Sequence, residues 1–128
     1  MSELQRVLYV EDEPDIQAVA RLALEMVGGL TVQICSSGEE ALRETTGFEP
    51  QLILMDVMMP GMDGPGTLRA LQERSLLDGV PVVFMTAKVQ PREVAHYTAL
   101  GALGVIAKPF DPMQLADQVR ELWGRRHV

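Results

Sequence analysis

Five short apolar runs punctuate the chain, at residues 7–10 (VLYV), 30–35 (LTVQIC), 52–55 (LILM), 82–85 (VVFM) and 105–107 (VIA). Their apolar positions are largely continuous rather than alternating, the mark of strands covered on both faces. Between the runs the apolar positions recur at helical spacing. Ile16, Val19, Ala20, Ala23, Leu24 and Val27 fall on one helix face, and Leu115, Val119, Leu122 and Trp123 fall on another. The helix before the fifth run has only Val94, Tyr97 and Leu100 as its apolar stripe, so it is expected to be loosely held.

Several boundaries are legible as well. Ser37 followed by Glu40 has the spacing of a capping box, Pro14 and Pro112 suit first helical turns, and Gly28 can end the first helix. Gly79-Val80-Pro81 predicts a turn with Pro81 opening a strand, where its missing N–H is tolerated. Strand and helix alternate five times without a linker or repeat, which predicts one parallel sheet with helices on both faces.

Composition narrows the class. A chain of 128 residues, 47% hydrophobic and 23% charged, suits one globular domain. No apolar run approaches the roughly 20 residues of a membrane span, and the opening MSELQRVLYV lacks the pattern of a secretion signal, so a cytoplasmic protein with no membrane partner is expected. The single cysteine, Cys35, lies in an apolar run and is expected to be a buried thiol. A formal net charge of −7 argues against direct nucleic-acid binding, because phosphate contacts supply that affinity. The basic tail at residues 124–127 is read as cations complementing a helix C-terminus.

Candidate chemistry follows the apolar runs. Glu11 and Asp12 come after the first, Asp56 after the third, Thr86 after the fourth and Lys108 after the fifth. In a parallel sheet these residues emerge at one carboxyl edge, where open α/β folds bind ligands. Three carboxylates brought together repel one another unless a cation joins them. Oxygen donors with no His or Cys nearby point to Mg²⁺ rather than zinc. A divalent cation, a lysine and a hydroxyl around a central aspartate suit phosphoryl transfer onto that aspartate, with Asp56 as nucleophile.

The stretches VLYVEDEPDI, LILMDVMMPGMDG, VVFMTA and IAKPF are similar, in order and separation, to the signatures of the bacterial two-component response-regulator receiver family. The resemblance covers residues 6–123 and implies a flavodoxin-like (βα)5 three-layer sandwich with sheet order 2-1-3-4-5. It implies that Asp56 is the phosphoacceptor, that Asp12, Asp56 and the backbone carbonyl of Met58 ligate Mg²⁺ directly, and that Glu11 acts on the metal through water. Thr86 and Lys108 match the family's phosphoryl-binding hydroxyl and lysine, and Lys108-Pro109 is implied to be cis. The partners implied are a sensor histidine kinase or histidine phosphotransfer protein and a downstream protein target, with residues 1–128 forming one receiver domain. The resemblance leaves the oligomeric state open.

Two positions depart from the family's pattern. Val105 stands where Tyr or Phe is usual, and Pro65-Gly66 replaces longer residues at the start of the third helix. A β-branched side chain has restricted χ1 freedom in a strand. Switching is therefore expected to pass mainly through residues 87–91 and the fourth helix. His96 and His127 are isolated and expected at the surface, Met55, Met58, Met59 and Met62 are read as packing and loop filling, and Trp123 as core. Three alternatives stand beside the receiver reading. A haloacid-dehalogenase-type phosphatase would carry DxD after its first strand, whereas Asp56 follows the third and is followed two residues on by Met58. A flavin-binding module would need a hydroxyl- and glycine-rich loop where EDEPD stands. The chain could also be a receiver within a longer protein.

Overall fold

The structure, a computed structural model, describes residues 3–126. The five apolar runs form strands β1 (Arg6–Val10), β2 (Thr31–Cys35), β3 (Leu52–Asp56), β4 (Val82–Thr86) and β5 (Gly104–Ala107). All neighbouring pairs are parallel, in the order β2-β1-β3-β4-β5. The intervening helices are α1 (Pro14–Arg21), α2 (Gly38–Phe48), α3 (Gly64–Glu73), α4 (Pro91–Leu100) and α5 (Leu115–Gly124). This is the flavodoxin-like sandwich predicted from the alternation and the resemblance.

Side chains of a strand alternate between faces, and helices cover both. Val7 and Tyr9 of β1 join Leu24, Leu54, Met85, Leu115 and Val119 in one core. Leu8 and Val10 point the other way and join Ile53, Met55, Leu68, Leu71 and Phe84 in a second. Every residue of β3 and β4 is buried, which accounts for their unbroken apolar runs. Each fully buried Leu, Val or Phe contributes about 1.5–3 kcal/mol relative to exposure. α4 has no buried residue and is held by the half-buried Val94, Tyr97 and Leu100, with the Tyr97 ring edge-on to Phe84 at 5.3 Å.

The first helix departs from its predicted face. After Arg21 it widens into a π-helical segment, Leu22–Val27, closed by Gly28 N–H donating to the Ala23 carbonyl. Ala20, Ala23 and Leu24 are buried, whereas Val19, which precedes this segment, and Val27, which ends it, are exposed; the wider turn rotates Val27 off the predicted face. Gly28 does cap this segment, but the left-handed residue is Gly29, at φ +70°. Gly28 is also needed for contact: a Cβ there would lie 2.5 Å from the Ala116 Cβ of α5.

Other boundaries are adjusted in detail. Pro14 opens α1 as expected, whereas Pro112 sits in a turn before α5, where Asp111 accepts backbone N–H bonds from Gln114 and Leu115. Ser37 accepts from the Glu40 N–H at 3.1 Å, but Glu40 reaches back to the N–H of Ser36 rather than Ser37. Cys35 and Met55 are buried, Met59 nearly so, and Met58 is exposed. Trp123 is only half-buried, packed against the first core and covered by the Arg126 guanidinium 3.3 Å from its ring centroid. Arg126 also donates to the Trp123 carbonyl, so one tail cation does cap a helix end. His96 is exposed, and His127 lies outside the described residues.

Candidate functional site

Because β3 lies between β1 and β4, the ends of these strands bring their residues together at the carboxyl edge. Asp56 is the last residue of β3 and Thr86 the last of β4. Glu11 follows β1 and Lys108 follows β5. Glu11 is fully buried, Asp56 and Thr86 are nearly so, and Asp12 and Lys108 are half-buried. One carboxylate oxygen from each of Glu11, Asp12 and Asp56 lies within 4.8 Å of the others. Lys108 Nζ donates to Glu11 Oε1 at 3.0 Å and to Asp56 Oδ2 at 3.1 Å. A hydrogen bond from the Lys108 N–H to the Thr86 carbonyl, 2.9 Å, anchors the base of that lysine, and the Lys108-Pro109 bond is cis.

Three carboxylates against one ammonium leave the pocket acidic. Burial raises the Glu11 pKa, Asp56 adds to the effect, and Lys108 opposes it. Burial alone would lower the Lys108 pKa, but its hydrogen bonds to Glu11 and Asp56 outweigh that and raise it, so the ammonium stays charged at neutral pH. Hard oxygen donors of this number and spacing suit a small divalent cation such as Mg²⁺. Among the described residues every buried side-chain polar atom has a hydrogen-bond partner.

The remaining expected residues fall nearby. The Thr86 hydroxyl accepts from the Lys88 N–H at 3.2 Å, at the entry to the loop before α4. Met58 lies in the loop after β3 with its side chain 77% exposed, so only its backbone could serve the pocket. That loop is drawn tight by Gly64 N–H donating to the Val57 carbonyl at 2.9 Å. A Cβ on Gly64 would lie 2.6 Å from the Asp56 carbonyl and 3.1 Å from the Phe84 ring, so α3 can start this close to Asp56 only with glycine. Asp63 then caps α3 by accepting from Gly66 N–H at 2.8 Å.

Two further contributors lie outside the set that the strand ends suggested. The Tyr9 hydroxyl donates to Glu11 Oε1 at 3.1 Å, and burial, reinforced by Glu11, pushes the phenol's pKa far up. The side chain of Gln17 in α1 donates to the Glu11 carbonyl and to the Ser36 hydroxyl, tying three elements at the edge. Period-two alternation along VLYVE places Tyr9 and Glu11 on one face, so a signal for the tyrosine is present in the sequence. Gln17 has no such signal.

Residues 7–120 match the family model described as response regulator receiver domain. The chain is 36% identical over 116 residues to the DNA-binding response regulator MtrA of Mycolicibacterium smegmatis, covering 91% of this chain and 49% of that protein. It is 32% identical over 128 residues to the response regulator Rre1 of Synechocystis, covering all of this chain and 55% of the relative. The chain thus spans about half the length of the curated relatives it matches. DNA binding belongs to MtrA's name, and these likenesses lend no support to the expectation that the present chain avoids nucleic acid.

Among solved structures, the chemotaxis response regulator CheY4 of Vibrio cholerae superposes with a TM-score of 0.84 at 28% identity, over 93% of this chain and 98% of that one. The receiver domain of a signal transduction histidine kinase from Syntrophus aciditrophicus gives 0.79 at 32% identity, over 97% and 95%. Receivers are signalling switches rather than conventional enzymes, and they bind Mg²⁺ in an acidic pocket; this chain carries an acidic cluster, Glu11, Asp12 and Asp56. Sequence match, sheet order and the acidic edge agree, and the chain belongs to the response-regulator receiver family.

Proposed function

We propose that residues 1–128 act as one receiver domain that accepts a phosphoryl group on Asp56 in a Mg²⁺-dependent reaction and signals by changed protein contacts. The observation that carries this reading is the carboxylate trio within 4.8 Å, two of whose members, Glu11 and Asp56, share one lysine. Asp12, Asp56 and the Met58 carbonyl would hold the cation directly and Glu11 through water. Bound there, Mg²⁺ supplies neutralisation of the acidic pocket and of the incoming phosphoryl oxygens. Asp56 attacks phosphorus in line with the donor nitrogen, so the O–P bond forms as the N–P bond breaks and the imidazole leaves with its electron pair. Lys108, already 3.1 Å from Asp56 Oδ2, turns its ammonium to a phosphoryl oxygen, and the Thr86 hydroxyl donates to another.

The donor is a sensor histidine kinase or histidine phosphotransfer protein, and the output is a downstream protein target. A groove lined by Ile16, Val19, Lys108, Pro109 and Phe110 opens beside the lysine. The exposed Val19, Leu22 and Met26 of the first helix extend it with apolar surface on which a donor can dock. The phosphatase alternative lacks its general acid, since the residue two after Asp56 is the outward-facing Met58. No described helix is long and apolar enough to cross a membrane.

The test is intact-mass measurement after incubation with a small-molecule phosphodonor, with Mg²⁺ and with EDTA. The parent should gain one phosphoryl group only with Mg²⁺, and Asp56→Asn should gain none. Equal labelling of that variant, or labelling in EDTA at the parent's rate, would defeat the proposal.

A further inference from the structure

Tyr9 is fully buried in β1, and packing alone does not explain its hydroxyl. Its ring lies in the core formed with Leu24, Leu54 and Met85, where phenylalanine would serve as well. The hydroxyl instead leaves that apolar layer and donates to Glu11 Oε1 at 3.1 Å. The same oxygen accepts from Lys108 Nζ at 3.0 Å, while Oε2 has only the Glu13 N–H at 3.3 Å. Glu11 is thus held at Oε1 by one group built into a strand and by another that it shares with Asp56.

Those two holds behave differently when the pocket gains negative charge. A phosphoryl group on Asp56 brings new acceptor oxygens that compete for the Lys108 ammonium. The hydrogen bond from Lys108 to Glu11 is then weakened or lost. Without the Tyr9 hydroxyl the carboxylate would then keep, among the described residues, the 3.3 Å contact alone and could turn about its own side-chain torsions. Tyr9 has no such competitor, because its ring is packed on every side and its hydroxyl is directed at Glu11.

We infer that Tyr9 is a positioning residue for the acidic pocket, its hydroxyl holding Glu11 Oε1 in place once Lys108 turns to the phosphoryl group. The inference rests on the Mg²⁺ reading given above and deepens it. Partners that orient a directly ligating side chain commonly contribute about 10–100-fold to metal affinity, and Glu11, acting through water, puts the contribution of Tyr9 at the low end of that range. It also gives a role to the length of Glu11: an aspartate, one methylene shorter, would fall away from the phenol.

The experiment measures the Mg²⁺ dissociation constant by calorimetry for the parent, Tyr9→Phe, Glu11→Asp and the double variant, each with and without beryllofluoride as phosphoryl mimic. Metal-free melting temperatures are recorded beside them. With the mimic, Tyr9→Phe should weaken Mg²⁺ about tenfold, and without it by less. In the Glu11→Asp background the same change should add nothing, because the hydrogen bond is already gone. Loss of packing alone would weaken both backgrounds equally and independently of the mimic, and that result overturns the inference. So does a Tyr9→Phe constant equal to the parent's with the mimic present. If the parent itself binds no Mg²⁺, the metal reading fails and takes this inference with it, an outcome distinct from the other two.

Discussion

Replacing Asp56 with asparagine keeps the shape of the side chain and removes one charge from the pocket. One oxygen of Asp56 lies within 4.8 Å of oxygens on Glu11 and on Asp12, so each repulsion is at least about 3.5 kcal/mol at an effective dielectric constant of about 20. Against them stands the attraction of Lys108 at 3.1 Å, about 5 kcal/mol on the same scale. The two repulsions together exceed the attraction by about 2 kcal/mol. The asparagine amide still offers an oxygen to the lysine, so little hydrogen bonding is lost. The metal-free variant should therefore be more stable than the parent. With an unfolding entropy of about 2.1 cal/mol/K per residue, 2 kcal/mol corresponds to a rise of about 7 °C for a 128-residue chain.

Thermal denaturation followed by circular dichroism in EDTA, at moderate ionic strength, reads this directly. Titrating Mg²⁺ should then raise the parent's melting temperature more than the variant's, since only the parent keeps all three carboxylates. A melting temperature that falls on substitution would refute the reasoning. It would mean that Asp56 is held by favourable interactions larger than its repulsions.

Other outcomes follow from neighbouring groups. Lys108→Met leaves Glu11 and Asp56 without their cation and should cost about 3 kcal/mol in the metal-free form, with Mg²⁺ recovering much of it. Because the folded-state pKa of Lys108 is raised, its pairing contributes stability that is fully present below about pH 10.4 and is lost as pH climbs through the raised value. Denaturant titrations at alkaline pH should show the parent's advantage over Lys108→Met shrinking across that window. Gly64→Ala should destabilise by about 1–3 kcal/mol and slow phosphorylation, read by chemical denaturation and intact mass, since the new methyl group meets the Asp56 carbonyl. A phosphoryl mimic should change amide hydrogen exchange mainly in residues 87–100, where α4 has only half-buried anchors and the Thr86 hydroxyl accepts from the Lys88 N–H. Changes confined to Val105 and α5 would show a different route.

The parallel sheet and the edge where its strands end were legible in the pattern of apolar runs, and the strand order in the resemblance of the motifs to the receiver family. Strands that repeat as buried apolar runs can only be covered by helices on both faces, and a right-handed crossover puts every strand end at one edge. With the strand order that the resemblance supplied, β3 stands between β1 and β4, and the polar residues ending those runs are brought to one site. Cys35 was placed by its apolar run. Contacts set by side-chain reach and by the fit of neighbouring elements were not legible. Lys108 bridges Glu11 and Asp56 across sequence separations of 97 and 52 residues, and no local pattern encodes that sharing. The π-helical segment overrode the 3.6-residue period that had placed Val27 on the apolar helix face, and the close approach of Ala116 to Gly28 is decided between two helices. The Tyr9 bond to Glu11 lies between these cases: alternation set the face they share, and only the packed strand set the distance.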